Sequence, residues 1–226
     1  MKYLNIAEAL RIGGRSVRVH LVPMAVLWAL AGALVAGYYF VPCVAAALDP
    51  LYRWQTSHGW VAAFLTRFVF CGALPGVFLL TMKRLAVPHP LWVVAAQTVW
   101  SGVCGVLSGW MYSLNAAWFG TGIDLTTLAV KTAACQFVWT PFVFMPLGTL
   151  VYFWIGRDFS FGRCRREWER DFWTRTFCPN LLVNWAIWLP GSMLLHLFPT
   201  PLQIQLSGFA NTYFALVLLW IGRGGR

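Results

Sequence analysis

Long apolar runs with few or no charged residues alternate with short polar segments along the chain. A membrane-spanning helix needs about 20 apolar residues, because it must cross a hydrocarbon core about 30 Å thick. The pattern therefore predicts an all-α fold, a polytopic transmembrane helix bundle of about six hydrophobic helices in a single membrane-embedded domain, residues 1–226. The predicted helices are 21–47, 60–82, 91–117, 126–155, 181–198 and 202–221. The run 181–198 is short enough that a re-entrant or half-buried helix is the alternative there.

The composition supports a chain whose surface faces lipid. Hydrophobic residues make up 59% of the sequence and charged residues only 11%, whereas a soluble domain carries about 25% charged residues. The net charge of +10 could indicate nucleic-acid binding, but the basic residues flank the apolar runs, so we expect no nucleic-acid partner. The six cysteines contain no CxxC pair, so we expect neither a zinc site nor a disulfide framework.

The basic residues predict an orientation. With six crossings, 14 of the 17 Lys and Arg residues fall on one side, and the exceptions are Arg53, Arg67 and Lys131. Because positive charge accumulates on the cytoplasmic side, both termini are predicted to be cytoplasmic, or to lie on the matrix side in an organelle. Which membrane holds the chain is not encoded in this pattern.

Two basic segments are predicted to lie at the membrane surface. Residues 1–20 read as an amphipathic helix on the cytoplasmic side, with an organelle-targeting segment as the alternative. Residues 157–178 read as a basic interfacial loop helix that contacts a bilayer containing anionic lipids, with a solvated loop that only sets orientation as the alternative. The predicted lipid-interface residues are Arg163, Arg165, Arg166, Trp168 and Trp173.

Arg67 and Lys131 are the cations inside apolar runs. An ionisable residue in a membrane helix is costly unless it faces a cavity or a partner. Both residues are predicted at a depth of roughly 8 to 11 Å on one side, where they could form the outer mouth of a path for anionic solutes. The alternative is that both long side chains snorkel to the interface. Asp124, at the start of its helix, is predicted to be a helix cap or the partner of Lys131.

Other polar residues and prolines recur inside the runs. Gln136, Asn184 and His196 are candidates for lining a solute path, although amides in membrane helices also join helices by hydrogen bonds. Pro141 and Pro190 are predicted to kink their helices. The glycines from Gly102 to Gly109 predict a close helix contact, with a partner in the same chain or in another.

Three motifs carry a resemblance to a known family. Lys131-x-x-x-Cys135-Gln136-x-x-x-x-Pro141 resembles the K-x-x-x-D-Q-x-x-x-x-P motif of the Mpv-type family of small peroxisomal and inner-mitochondrial membrane proteins. Asn184-Trp185-x-x-Trp188-Leu189-Pro190 is similar to its N-W-x-x-W-P motif, and Arg67 with Gly72 to its R-x-x-x-x-G motif. Cys135 replaces the family's aspartate. The resemblance implies a compact helical protein that forms a weakly selective pore for small solutes and has no cofactor.

We therefore expect a pore or facilitator for small solutes, with anionic ones favoured. The alternative is a non-transporting membrane protein that packs with partners, further copies of the chain included, or that organises lipid. The sequence has no recognisable set of catalytic or metal-binding residues, so we expect no enzymatic activity, metal or cofactor. A membrane-embedded enzyme would require His196 beside Cys135 or another nucleophile in a cavity.

Overall fold

A computed structural model describes residues 5–81, 89–165 and 172–221, and these residues are largely helical and contain no β-strand. The prediction of an all-α fold is confirmed. The α-helices are α1 (Ile6–Phe40), α2 (Pro42–Arg67), α3 (Leu74–Thr81), α4 (Pro90–Phe119), α5 (Leu125–Ala133), α6 (Met145–Ile155), α7 (Cys178–Leu195) and α8 (Thr200–Ile221). There are also three π-helical segments in the described residues. Phe68–Ala73 connects α2 to α3, Ala134–Phe144 connects α5 to α6, and Phe172–Phe177 leads into α7.

The helices are those of a multi-pass membrane protein. Four of those described are long and apolar enough to cross a membrane: His20–Phe40, Pro42–Thr81, Pro90–Phe119 and Leu125–Ile155. Helices α7 and α8, with 18 and 22 residues, complete the bundle and correspond to the last two predicted runs. The apolar runs therefore located the helices of the bundle.

The boundary at residue 47 was wrong. Helix α1 ends at Phe40, and Val41 is extended, with φ −125° and ψ 102°. A residue that precedes a proline is driven out of the α-helical region by the proline ring, so Val41 breaks the helix before Pro42 starts the next one. Helix α2 then bends at Gly59, whose φ of 53° falls in the left-handed region that glycine tolerates.

Residues 6–20 do not form a separate surface helix. Residues 6–40 are one continuous helix, so the predicted amphipathic segment and the first apolar run share an axis. The face that carries Ala9, Gly13 and Met24 is buried against other helices. A Cβ at Gly13 would lie 2.7 Å from Leu182 on α7, which explains why a residue without a side chain occupies this contact. The arginines of this segment are exposed.

The basic segment after α6 is not one helix from residue 157 to 178. Asp158 and Phe159 have φ values of 52° and 60°, and this left-handed turn ends the helical path before residues 161–165 resume it. Arg163 donates to Asp158 at 2.9 Å on the exposed side of the turn. The segment therefore does not present one continuous helical face, and an ion pair between Arg163 and Asp158 lies at the turn.

The remaining predicted interface residues divide into two groups. Arg165 and Trp173 are exposed, and the ring of Trp173 packs edge-on against Phe177 at a centroid distance of 5.1 Å. Arg166 and Trp168 lie outside the described residues. Exposure of Arg165 and Trp173 fits a surface segment, whichever of the two predicted environments it occupies.

Helix α4 crosses α2 at very short range. A Cβ at Gly105 would overlap the carbonyl oxygen of Ala63, and a Cβ at Gly102 would lie 2.6 Å from the ring of Phe64. Gly109 has more room, because its nearest neighbour would be the Cβ of Ala63 at 3.8 Å. The predicted glycine contact is therefore made within the chain, and backbone meets backbone at Gly105.

We expect Gly105→Ala to destabilise the bundle more than Gly109→Ala. The added methyl group at 105 collides with rigid backbone, an overpacking effect of about 1–3 kcal/mol, whereas at 109 it fills ordinary contact space. Thermal unfolding of the two purified variants in one detergent measures the difference. Equal melting temperatures for the two variants would contradict this crossing geometry.

Candidate functional site

A cavity of about 680 Å³ lies among α4, α6, α7 and α8, with Arg67 at the end of α2 also in its lining. It unites three of the predicted path residues, Arg67, Gln136 and Asn184, and excludes two, since neither Lys131 nor His196 is in its lining. Aromatic side chains such as Trp100, Tyr152 and Trp188 form much of the wall. Among the described residues, the lining carries two arginines and no carboxylate.

Arg67 is buried inside the bundle, with 8% of its surface exposed. Its Nη2 donates to the Ser207 hydroxyl at 2.7 Å, and this hydroxyl donates in turn to the carbonyl of Ile204 at 2.9 Å. Gly208 packs beside the same arginine, since a Cβ there would be in ordinary contact with Arg67 Cγ, at 3.4 Å. The buried Nε has no hydrogen-bond partner. The side chain therefore does not snorkel, and Ser207 binds its charge without neutralising it.

Lys131 is even more deeply buried, at 1% exposure, so it does not snorkel either. It lies close enough to Cys135 and His196 for its charge to act on both. Of the two cations predicted at one mouth, only Arg67 lines the cavity.

Asp124 proves to be a helix cap. The backbone N–H of Thr127 donates to its Oδ1 at 3.0 Å at the start of α5. This hydrogen bond stabilises the ionised carboxylate and lowers the pKa of Asp124. Of the two predicted roles, the structure shows the cap.

Gln136 and Pro141 lie five residues apart in the π-helical segment Ala134–Phe144. In a π-helix each N–H donates to the carbonyl five residues earlier, and Pro141 has no N–H to offer to the carbonyl of Gln136. The indole Nε1 of Trp185 on α7 donates to that carbonyl at 2.7 Å and replaces the missing bond. The predicted disturbance at Pro141 is thus a widened helix that ties the α5–α6 segment to α7.

The side chain of Gln136 makes a second link between the same helices. Its Nε2 donates to the Ser192 hydroxyl at 2.7 Å, and both residues line the cavity. Asn184 lies about two helical turns before Ser192 on α7 and also lines the cavity. Its buried Oδ1 has no hydrogen-bond partner. The predicted amides therefore serve both proposed purposes, since they join helices and face the cavity. Pro190 lies within α7 between Asn184 and Ser192.

His196 is not isolated at the end of its helix. Its Nε2 lies 3.7 Å from Cys135 Sγ, and its Nδ1 lies 3.3 Å from Thr132 Oγ1. Asn115 on α4 donates to the same sulfur at 2.9 Å. A neutral thiol that donates to Nε2 and a neutral imidazole that donates from Nδ1 to Thr132 satisfy these contacts together. The cluster joins α4, the α5–α6 segment and the end of α7.

This Cys135–His196 pair has the residue types of a nucleophile and its base. Both side chains are only 1% exposed, however, and neither lines the cavity. A nucleophile must reach its substrate, so the described arrangement favours a packing role for the pair. A lining residue that contacts the pair is Tyr112, whose ring packs edge-on against His196 at a centroid distance of 5.7 Å.

Two residues that matter here were not singled out as path residues from the sequence. Ser207, the partner of Arg67, belongs to a run in α8 where residues 202–208 are all buried. Gln203 and Ser207 are four residues apart, and this spacing was a signal for a polar helix face. Arg157 lines the cavity while its guanidinium lies 3.5 Å above the Phe153 ring, although its position in a basic loop suggested only orientation.

Buried glutamines lie on α8 next to the Arg67–Ser207 contact. Gln205 Nε2 donates to Gln55 Oε1 at 2.6 Å, and Gln55 Nε2 donates to the carbonyl of Gly59 at 2.7 Å. The Oε1 atoms of Gln203 and Gln205 are buried without partners. Polar groups thus continue from Arg67 along α8 towards the bend at Gly59.

No family model, no curated protein and no solved structure matches this chain. Its activity is therefore argued from the side chains and the cavity described above.

We expect Cys135 to be inert in the folded protein. In variants with a single cysteine, N-ethylmaleimide should label Cys43, which is exposed, and should label Cys135 only after denaturation, because Cys135 is sealed in the bundle. The measurement is mass spectrometry of the labelled protein over time. Labelling of Cys135 at the rate of Cys43 would show that the Cys135–His196 pair is accessible and would revive an enzymatic role.

Proposed function

We propose that this protein is a facilitator that lets small anionic solutes cross its membrane. The observation that carries the proposal is Arg67, a buried guanidinium in the lining of a cavity that has no carboxylate among its described residues. A buried cation without a counter-ion is costly, and it becomes favourable when an anion supplies the missing charge.

In the proposed path, side-chain hydrogen bonds act as the closed points. Arg67 and Ser207, which are hydrogen-bonded, both line the cavity, and the Gln205–Gln55 hydrogen bond lies further along α8. Both contacts are made by flexible side chains, so a rotamer change can open them without unfolding a helix. The unpartnered amide oxygens of Gln203 and Gln205 are polar groups that water would solvate in an open path.

The orientation and the family resemblance belong to the same proposal. Six crossings would put both termini, and the excess of basic residues, on the cytoplasmic or matrix side. The Mpv-type motifs imply weakly selective passage of small solutes. Of these motif residues, Arg67, Gln136 and Asn184 line the cavity, which is where a facilitator needs them.

A non-transporting partner or lipid organiser is less well supported. Its main sequence feature was the glycine face from Gly102 to Gly109, and this face is occupied by α2 of the same chain. A partner helix could not use it without displacing α2. Stable co-purification of another protein with the chain would favour this alternative.

We expect Arg67→Gln to reduce anion flux about tenfold, because a hydrogen bond to a charged group is worth about 1.5–3 kcal/mol and 1.4 kcal/mol is a factor of ten. Glutamine can still bond to Ser207, so the bundle should fold. Lys131→Met should have a smaller effect, because Lys131 does not line the cavity. The measurement is uptake of radiolabelled acetate, lactate and chloride into proteoliposomes.

Arg53→Gln is the matched control, since Arg53 is an exposed cation paired with Asp49 away from the cavity. It should leave uptake unchanged. Absence of any flux through the wild-type protein, or an equal loss of flux in the Arg67 and Arg53 variants, would refute the proposed mechanism.

A further inference from the structure

The size of the cavity indicates which anions fill it. Gly105 packs beside Arg67, and Gly148 on α6 faces the indole of Trp100 on α4. The guanidinium of Arg157 lies over the ring of Phe153. At 1.5 Å per residue, the five residues from Gly105 to Trp100 and the five from Gly148 to Phe153 span roughly 15 Å. A volume of about 680 Å³ therefore holds a solute with several carbon atoms and is not filled by an ion as small as acetate.

The charge of Arg67 matches a ligand with a single anionic group. One of the five N–H donors of the Arg67 guanidinium is used by Ser207. A carboxylate accepts two parallel hydrogen bonds from a guanidinium and carries one charge. A phosphate dianion would bring a second charge with no second cation beside it among the described residues, because Arg157 is roughly 15 Å away along the helices and Lys131 lies outside the lining.

The wall of the cavity combines aromatic and aliphatic side chains with uncharged polar ones. Trp100, Phe144, Met145, Tyr152 and Trp188 all line it. Ligand sites of this kind combine an apolar wall with a few polar groups that orient the ligand. A small hydrophilic anion would leave this wall in contact with water only, whereas an apolar body would cover it.

We propose that the cavity binds monocarboxylates with an apolar body, with the carboxylate on Arg67 and the body against the aromatic side chains of the wall. The proposal rests on the facilitator function and names the solute class that the cavity selects. Asn184, whose Oδ1 lacks a partner, and the Gln136–Ser192 pair are among the polar groups that orient the ligand. The affinity should rise about fourfold for each buried methylene group.

The test uses the purified full chain in nanodiscs and follows quenching of tryptophan fluorescence by 8-bromooctanoate. Octanoate should displace the probe at a concentration at least tenfold lower than acetate. Octan-1-ol, which has the body without the charge, should not displace it. Competition by octanoate alone identifies a carboxylate from the aqueous phase, and competition by oleate as well identifies one drawn from the bilayer.

Variants separate the contributions of charge and wall. Arg67→Gln should weaken displacement by octanoate about tenfold or more, and Arg67→Lys should fall between it and the wild type because the charge remains but the planar fork is lost. Trp100→Phe with Trp188→Phe should remove most of the quenching. Arg53→Gln should behave as the wild type.

The outcomes distinguish this inference from the proposed function. Equal competition by acetate and octanoate, or by octan-1-ol and octanoate, would overturn the assigned ligand class, and anion flux through the protein could still stand. Octanoate binding that depends on Arg67, in a protein that gives no flux in proteoliposomes, would uphold the binding site and refute the facilitator.

Discussion

The polar side chains along the first half of α8 must find partners inside a bundle that faces lipid, and the other helices are arranged around that requirement. Ser207 binds Arg67 from α2, and Gln205 binds Gln55 from the same helix. In hydrocarbon no water would satisfy these groups, so moving α8 outward would cost their hydrogen bonds. The close crossing of α4 over α2 at Gly105 holds Arg67 against α8. Burial of polar groups thus sets the helix positions that create the cavity.

The sequence was sufficient to locate the helices and insufficient to orient them about their axes. Apolar runs identify spans because lipid selects length and hydrophobicity. Arg67 and Lys131 stood out for the same reason, as charges where none is expected. That Arg67 faces the cavity and Lys131 faces His196 depends on helix rotation and packing, which involve residues far apart in the chain. The predicted span 21–47 overran its end at Phe40, although the proline at 42 was a local signal for the break.

Contacts between distant segments account for most of what the sequence left open. His196 seemed isolated because its neighbours, Cys135 and Thr132, lie about 60 residues earlier. The bond from Trp185 to the carbonyl of Gln136 depends on a π-helical turn, which local propensity does not forecast. The cavity itself is a property of four helices together. Such features follow from tertiary packing, where a small rotation of one helix exchanges a buried residue for an exposed one.

The widened helix between α5 and α6 also affects how this chain is compared with others. Lys131 and Cys135 are spaced by four residues, as in one α-helical turn, whereas Gln136 and Pro141 are spaced by five, as in one turn of the π-helical segment. If this segment is compared with a regular α-helix, the π-helical turn contains one extra residue. Every later side chain is then assigned to a direction that is wrong by about 100° around the helix axis. Lipid-facing positions would then be matched with buried ones. The five-residue spacing between Gln136 and Pro141 therefore reflects the type of helix as well as the chemistry of the two residues.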